Sequence, residues 1–170
     1  MTDPTTQPAH FVRLNKLVQA SPQQVYDTWL NAASYAKWFA PEPTVRCEDV
    51  SIDATVGGEM RVVMQSDNGM HTGIGTFTEL IPAKRIAYTW GWLEHPEMGA
   101  GSTVIIDLIE ADNPYGEGPA TEIILTHQGL NTPMERSEHT GGWFGCLKAL
   151  GYFVRGIDPR EAMYGKPAKA

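Results

Sequence analysis

Apolar and polar residues alternate along much of the chain with the period of two that is typical of β-strands. The pattern predicts strands over segments 11–20, 44–52, 57–66, 70–80, 84–92, 102–111 and 119–128. On the fifth of these, the apolar residues that share one face are Ile86, Tyr88, Trp90 and Trp92. Asp67-Asn68-Gly69 predicts a type I′ hairpin turn, because Asn and Gly tolerate the positive φ that this turn requires.

Three other segments combine helical spacing of apolar residues with the residues that begin helices. Ser21-Pro22-Gln23-Gln24 supplies an N-cap, a proline at the first helical position and a capping box. Ser34 is expected to cap a second short helix, which Pro41 ends. Thr132-Pro133-Met134-Glu135 repeats the start signal before a long helix, and Gly156 is expected to end that helix.

The order of these elements predicts an α+β fold. It consists of a curved antiparallel sheet of about seven strands, two short helices after the first strand and a long C-terminal helix. Only the last helix is long enough to cover one face of the sheet, and a curved sheet around one helix leaves a natural ligand cavity between them. We expect a single domain over residues 11–156, with loosely ordered tails at 1–10 and 157–170.

Composition narrows the class of protein. The 170 residues include 13 Lys and Arg against 20 Asp and Glu, which gives a formal charge of −7. This balance argues against nucleic acid or an anionic membrane as a partner. No stretch has the ~20 apolar residues of a membrane span, and the polar N-terminal segment does not resemble a signal peptide. Cys47 and Cys146 are too few for a disulfide framework, so we expect reduced thiols in a cytoplasmic protein.

Motifs of nucleophilic, nucleotide-binding and zinc-dependent enzymes are absent from the sequence. Glu94-His95-Pro96-Glu97 gathers metal-ligand types in one loop, but its proline favours a rim loop, and no metal or other cofactor is predicted. The candidates for catalysis are His127, in phase with the apolar residues of its strand, and His139 on the last helix. Either ring would orient a ligand or transfer a proton, and a structural histidine is the competing interpretation. His71 is expected on the strand surface.

Large side chains mark the expected wall of the cavity. Tyr88, Trp90 and Trp92 share a strand face and Trp143 lies on the covering helix, so they either enclose an apolar ligand or form ordinary core. The four glycines of the last helix either allow close packing on the sheet or leave room for a ligand. The expected cavity-lining residues are Trp38, Met60, Val62, Met64, Tyr88, Trp90, Trp92, Ile106, Leu108, His139, Trp143 and Leu147.

Five segments carry a resemblance to a known superfamily. They are ASPQQVYDTWLNAASYAKWFAP (20–41), VGGEMRV (56–62), GTFTELIPAKRIAYTW (75–90), TEIILTHQGL (121–130) and HTGGWFGCLKAL (139–150). In this order and spacing they resemble the START/birch-pollen-allergen superfamily, SRPBCC. Within it they are similar to the branch named after the C-terminal domain of the heat-shock-protein-90 ATPase activator. The resemblance implies a helix-grip fold over residues 11 to about 154.

The resemblance implies less about function. Members of the superfamily commonly bind small hydrophobic molecules, some are enzymes, and one branch stimulates a chaperone ATPase. The expected function is therefore binding of a small hydrophobic or aromatic ligand between the sheet and the last helix. Two alternatives stay open. One is a cyclase-, dehydratase- or hydrolase-like enzyme that uses an inward His127 or His139, and the other is an interaction module with a chaperone partner. A homodimer also stays open.

Overall fold

The computed structural model describes residues 10–40 and 42–166. These residues contain seven strands and four helices. The strands are β1 (His10–Val18), β2 (Arg46–Ile52), β3 (Glu59–Ser66), β4 (Gly69–Ile81), β5 (Arg85–Trp92), β6 (Ser102–Ala111) and β7 (Ala120–Leu130). The helices are α1 (Pro22–Leu30), α2 (Ala32–Trp38), α3 (Pro133–Phe153) and α4 (Pro159–Tyr164). The predicted α+β order of elements is confirmed.

All seven strands belong to one antiparallel sheet in the order β1-β7-β6-β5-β4-β3-β2. Register shifts interrupt the β2–β3 pairing between Cys47 and Asp49 and the β4–β5 pairing between Phe77 and Glu79. Such bulges bend strands and increase their twist. They therefore contribute to the curvature that brings the inner face of the sheet around α3.

The helices begin at the predicted capping residues, with one exception. The Ser21 hydroxyl accepts the Gln24 N–H at 3.2 Å, and the Gln24 side chain accepts the Ser21 N–H at 2.9 Å. The Thr132 hydroxyl caps α3 by accepting the Glu135 N–H at 3.1 Å, and the Glu135 side chain accepts the Asn131 N–H at 2.7 Å. The prediction that Ser34 caps α2 is wrong, because the Asn31 side chain accepts the Ser34 N–H at 2.9 Å and the helix begins three residues earlier. The predicted stop of α2 at residue 41 lies outside the described residues.

The turn between β3 and β4 also differs from the prediction. Its central residues, Asp67 and Asn68, both lack the positive φ of a type I′ turn, and only Gly69 after them has one, at +112°. The Ser66 hydroxyl accepts the Asn68 N–H at 3.2 Å. A hydrogen bond to the Ser66 side chain therefore stabilises this turn. The sequence pattern had predicted a turn defined by positive φ angles.

The inner face of the sheet carries the alternating apolar residues that the sequence predicts. Fully buried members include Met60, Val62, Ile86, Tyr88, Val104, Ile106, Ile123 and Leu125. Among the strands, α3 packs most extensively on β1, at one edge of the sheet. The helix therefore lies to one side, and large aromatic side chains bridge the distance between it and the middle strands.

The C-terminal segment is more ordered than the sequence suggested. Gly156, at φ +74°, ends the last turn of α3 with its N–H on the Phe153 carbonyl at 2.9 Å. The expected loose tail from residue 157 is wrong for α4, since Arg160 donates to the carbonyls of Glu42 at 3.3 Å and Val45 at 2.5 Å. At the other end, β1 already includes residue 10. The rest of the expected tails, 1–9 and 167–170, lies outside the described residues.

Gly73 of β4 has no side chain, which leaves room for the Trp90 ring of β5. A Cβ built at Gly73 would lie 2.5 Å from the Trp90 Cη2 atom, whereas one built at Gly91 of β5 would meet nothing within 4 Å. We therefore expect Gly73→Ala to lower the free energy of unfolding by about 1–3 kcal/mol, the usual cost of overpacking. Gly91→Ala should leave this free energy unchanged or raise it. Urea unfolding followed by tryptophan fluorescence measures both variants, and equal losses would contradict the packing argument.

Candidate functional site

A groove of about 500 Å³ opens between β3–β5 and α3. Small-molecule sites typically measure ~300–1,000 Å³. The buried part of its wall is mainly apolar and aromatic. It consists of Phe39, Met64, Trp90, His139, Trp143 and Cys146, with Trp92 half-buried beside them. The outer part is polar, with Glu42, Thr44, Asn68, His95 and Glu138 exposed and Ser66 and His71 half-buried. An apolar interior with a polar rim suits a ligand of mixed character.

The structure divides the predicted cavity residues into two groups. The first group lines the groove: Met64, Trp90, Trp92, His139 and Trp143. The second group lies in the hydrophobic core away from it: Trp38, Met60, Val62, Tyr88, Ile106, Leu108 and Leu147. The two groups share the same faces but differ in position along the elements. On β3, for example, Met64 reaches the groove while Met60 and Val62, earlier on the same face, are fully buried.

Several residues of the groove were not predicted. Glu138, Gly142 and Cys146 follow one another at intervals of four along α3, on the row next to His139 and Trp143. The helical period alone carries that signal. The expectation that His71 belongs to the outer strand surface is wrong. It pairs with Met64 across β3 and β4 and therefore shares the inner face.

The glycines of α3 serve two different purposes. A Cβ at Gly151 would lie 3.2 Å from the Lys16 side chain on β1, so this glycine permits close packing. At Gly141 and Gly142 a Cβ would meet nothing within 4 Å, and Gly142 lines the groove. Gly151 therefore allows close packing of α3 on the sheet, whereas Gly142 leaves open space in the groove.

Two hydrogen bonds fix the His139 ring on α3. The Trp92 indole N–H donates to His139 Nε2 at 3.2 Å. This acceptor role places the imidazole proton on Nδ1, which lies 2.7 Å from the Glu135 carbonyl and donates to it. His139 is thus held as one neutral tautomer, with both nitrogens engaged.

His127 on β7 is held in a similar way, but deeper. The Trp143 indole N–H donates to His127 Nδ1 at 3.1 Å, and His127 Nε2 donates to the Ser102 hydroxyl at 2.9 Å. Ser102 in turn donates to the Trp90 carbonyl at 3.0 Å. Burial, together with His139 at 4.8 Å between ring centroids, lowers the pKa of His127 to about 3. The ring is therefore neutral at physiological pH.

These bonds limit the chemistry available to the two histidines. His127 is fully buried and does not line the groove, whereas His139 does. A general base needs a free nitrogen lone pair within reach of the substrate. In both rings that lone pair already accepts an indole N–H. The geometry therefore favours a structural role for both.

Trp90 lines the groove and carries a buried donor without a partner. Its side chain is 3% exposed, and its indole N–H has no hydrogen-bond partner among the described residues. Buried polar groups are normally paired, and an unpaired one costs about 1–3 kcal/mol. Four further buried polar atoms without such a partner lie on Trp29, Tyr35, Trp38 and Tyr88, which do not line the groove.

The two cysteines are free thiols that hold the end of α2. Cys146 Sγ accepts the Ala40 N–H at 3.3 Å, and Cys47 Sγ donates to the Phe39 carbonyl at 3.6 Å. Burial raises the pKa of Cys146 to about 12 and that of Cys47 to about 11. Because the thiolate is the reactive form, neither thiol is poised as a nucleophile. They anchor Phe39 and Ala40, which line the groove.

The loop 94–97 lies at the rim of the groove. Glu94 accepts the Thr72 N–H at 3.0 Å, and the rings of His95 and His71 stack with centroids 6.2 Å apart. Within residues 10–40 and 42–166, no three His, Cys, Asp or Glu side chains are placed to hold a metal ion. In the same residues, no helix has the length and apolar character to cross a membrane.

A curved seven-stranded sheet that grips a long helix, with a groove between them, defines the helix-grip class of the SRPBCC superfamily, and the resemblance noted in the sequence is confirmed. The model of the family described as Activator of Hsp90 ATPase homolog 1-like protein matches residues 19–154. The chain belongs to this family.

Solved structures share the fold. Protein CV1439 from Chromobacterium violaceum is 25% identical with a TM-score of 0.73, over 85% of this chain and 96% of that one. The AHSA1-like protein from Aeromonas hydrophila is 18% identical with a TM-score of 0.63, over 94% and 100% of the two chains. The Aha1 dimer from Colwellia psychrerythraea is 19% identical with a TM-score of 0.64, over 92% and 98%. No protein of curated function matches the chain.

His127 gives the stability a defined pH dependence. An imidazole in an unfolded chain is protonated below pH ~6.5, whereas the folded ring takes up its proton only near pH 3. Between these values the unfolded state binds more protons, so the free energy of unfolding should fall as the pH is lowered, by up to about 1.4 kcal/mol per pH unit. Urea unfolding between pH ~4 and ~7 measures this slope.

His127→Gln provides the control, because its amide keeps an acceptor for Trp143 but does not titrate. We expect this variant to lose the contribution of His127 to the slope. An identical pH dependence in the variant and the wild-type protein would contradict the assignment.

Proposed function

We propose that the protein binds a small molecule with an apolar or aromatic body in the groove between β3–β5 and α3. The observation that carries this proposal is a 500 Å³ opening walled by Phe39, Met64, Trp90 and Trp143. Burying apolar surface contributes ~25 cal/mol per Å².

The rigidity of the wall supports binding. The Trp92 and Trp143 indoles are tied to His139 and His127. Arg160 of α4 ties down the loop 42–45 at the opposite side through two carbonyls. A preformed site loses less conformational entropy when a ligand enters, and more of the contact energy then appears as affinity.

Binding without catalysis is favoured over the enzyme alternative. A reaction that used His127 or His139 as a base would first have to break a hydrogen bond to an indole. The rim pair of the Ser66 hydroxyl and His71 Nε2, at 3.2 Å, serves the β3–β4 turn, because the same hydroxyl accepts the Asn68 N–H. His127, His139 and His71 therefore each already have a structural partner.

Assembly and location are part of the same proposal. The Aha1 protein from Colwellia psychrerythraea is described as a dimer, which supports a homodimer for this chain. Two free cysteines support a reducing compartment such as the cytoplasm.

Filling the groove from α3 tests the site. Gly142 lines the groove, whereas Gly141 is equally open but lies outside it. Gly142→Leu should weaken binding of the fluorescent apolar probe N-phenylnaphthylamine by about tenfold or more, equivalent to about 1.4 kcal/mol. Gly141→Leu should leave the affinity unchanged. Both substitutions replace a helical glycine and should raise the free energy of unfolding by about 0.5–1 kcal/mol, so a loss of binding cannot be attributed to unfolding.

The fluorescence titration is read together with a urea unfolding curve for each variant. Unchanged probe affinity in Gly142→Leu, or equal loss in both variants, would contradict binding in this groove.

A further inference from the structure

We infer that the ligand of this groove carries a positive charge, such as a protonated amine, beside its apolar or aromatic body. The inference rests on the proposed function and adds a property that the fold does not specify. Its starting point is the charge of the wall. Glu42 and Glu138 line the groove, and no Lys or Arg is among its lining residues in the described part of the chain.

The two carboxylates approach the groove from different elements. Glu138 is on α3, and Glu42 belongs to the loop before β2. Both side chains are exposed, and neither belongs to an ion pair among the residues described, where the ion pairs are Arg46–Glu48, Arg85–Glu79 and Arg85–Asp107. A ligand in the groove therefore meets negative charge that no protein cation neutralises in an ion pair.

Two cations, Arg160 and Lys148, lie near Glu42. Arg160 donates to the carbonyls of Glu42 and Val45 rather than to a carboxylate. Lys148 lines a smaller hollow next to the groove, where Glu42 also contributes to the wall. Glu138 is not among the residues that line that hollow. We therefore expect Glu138 to contribute more than Glu42 to the attraction of a cation.

The aromatic rings act in the same direction. The ring centroids of Phe39, Trp90 and Trp143 lie 5.9–6.0 Å from one another, and all three side chains line the groove. Aromatic faces carry negative electrostatic potential and attract ammonium groups, most strongly in tryptophan. A carboxylate ligand would meet both glutamates, which disfavours an anion. The formal charge of −7 on the whole chain has the same sign.

A matched series of ligands tests the inference. Naphthylmethylamine, naphthylmethanol and naphthoate share one ring system and are cationic, neutral and anionic. At low salt, where surface charges are least screened, isothermal titration calorimetry should give the amine an affinity about tenfold or more above that of naphthoate, with the alcohol between them. Each titration is repeated on Gly142→Leu, which should weaken all three ligands.

Glu138→Gln isolates the charge at the groove. It should reduce the preference for the amine over the alcohol by about two- to fivefold, the range of an exposed charge pair. Glu110→Gln is the matched control, because Glu110 is exposed on β6, outside the groove, and loses the same charge. Equal affinities for the three ligands, tighter naphthoate binding, or equal effects of the two substitutions would overturn the charge inference and leave the binding proposal intact. No binding of any ligand, or binding that Gly142→Leu does not weaken, would overturn the binding proposal itself.

Discussion

Two indole–imidazole hydrogen bonds that run in opposite directions fix α3 over the sheet. Trp92 of β5 donates to His139 of α3, and Trp143 of α3 donates to His127 of β7. Because these groups are wholly or mostly buried, sliding or rotating the helix would leave donors and acceptors unpaired at about 1–3 kcal/mol each. The pair therefore sets the position of the helix, and with it the width of the space beside it.

The position of α3 over the sheet explains why a groove remains between the helix and the middle strands. α3 packs on β1 at the edge of the sheet, and bulky aromatic side chains separate it from the middle strands. Where α3 carries Gly142 it presents no side chain that would fill the gap. Catalysis by these histidines would need a free ring nitrogen as the base. Positioning of the helix uses both nitrogens of each ring, so the two roles conflict. The hydrogen bonds observed favour positioning, and the remaining features of the groove favour binding.

The fold was largely predictable from the sequence, because its signals are local. Strand alternation and the caps at Ser21 and Thr132 depend on residues a few positions apart. Whether a residue lines the groove depends on how far along each strand the helices extend. The period of apolar residues in the sequence does not carry that information. For this reason Met64 and Trp90 line the groove, whereas Met60 and Tyr88, on the same strand faces, belong to the core.

Other errors have equally specific causes. We predicted the cap of α2 at Ser34, but Asn31, an equally good capping residue, takes that position. α4 is short, and Arg160 ties it to a loop that lies more than a hundred residues earlier in the chain. The indole partners of His127 and His139 lie 16 and 47 positions away along the chain, so the structural role of these rings became visible only in the fold.

The central claim is that small molecules bind in this groove against Trp90, and the indole N–H resonances of the five tryptophans test it most directly. In a ¹H–¹⁵N NMR titration with naphthylmethanol, we expect the largest shifts for the indoles of Trp90, Trp92 and Trp143, which line the groove. The smallest shifts are expected for Trp29 and Trp38, which do not line it. Shifts confined to Trp29 and Trp38, or binding that leaves the Trp90 signal in place, would contradict the claim.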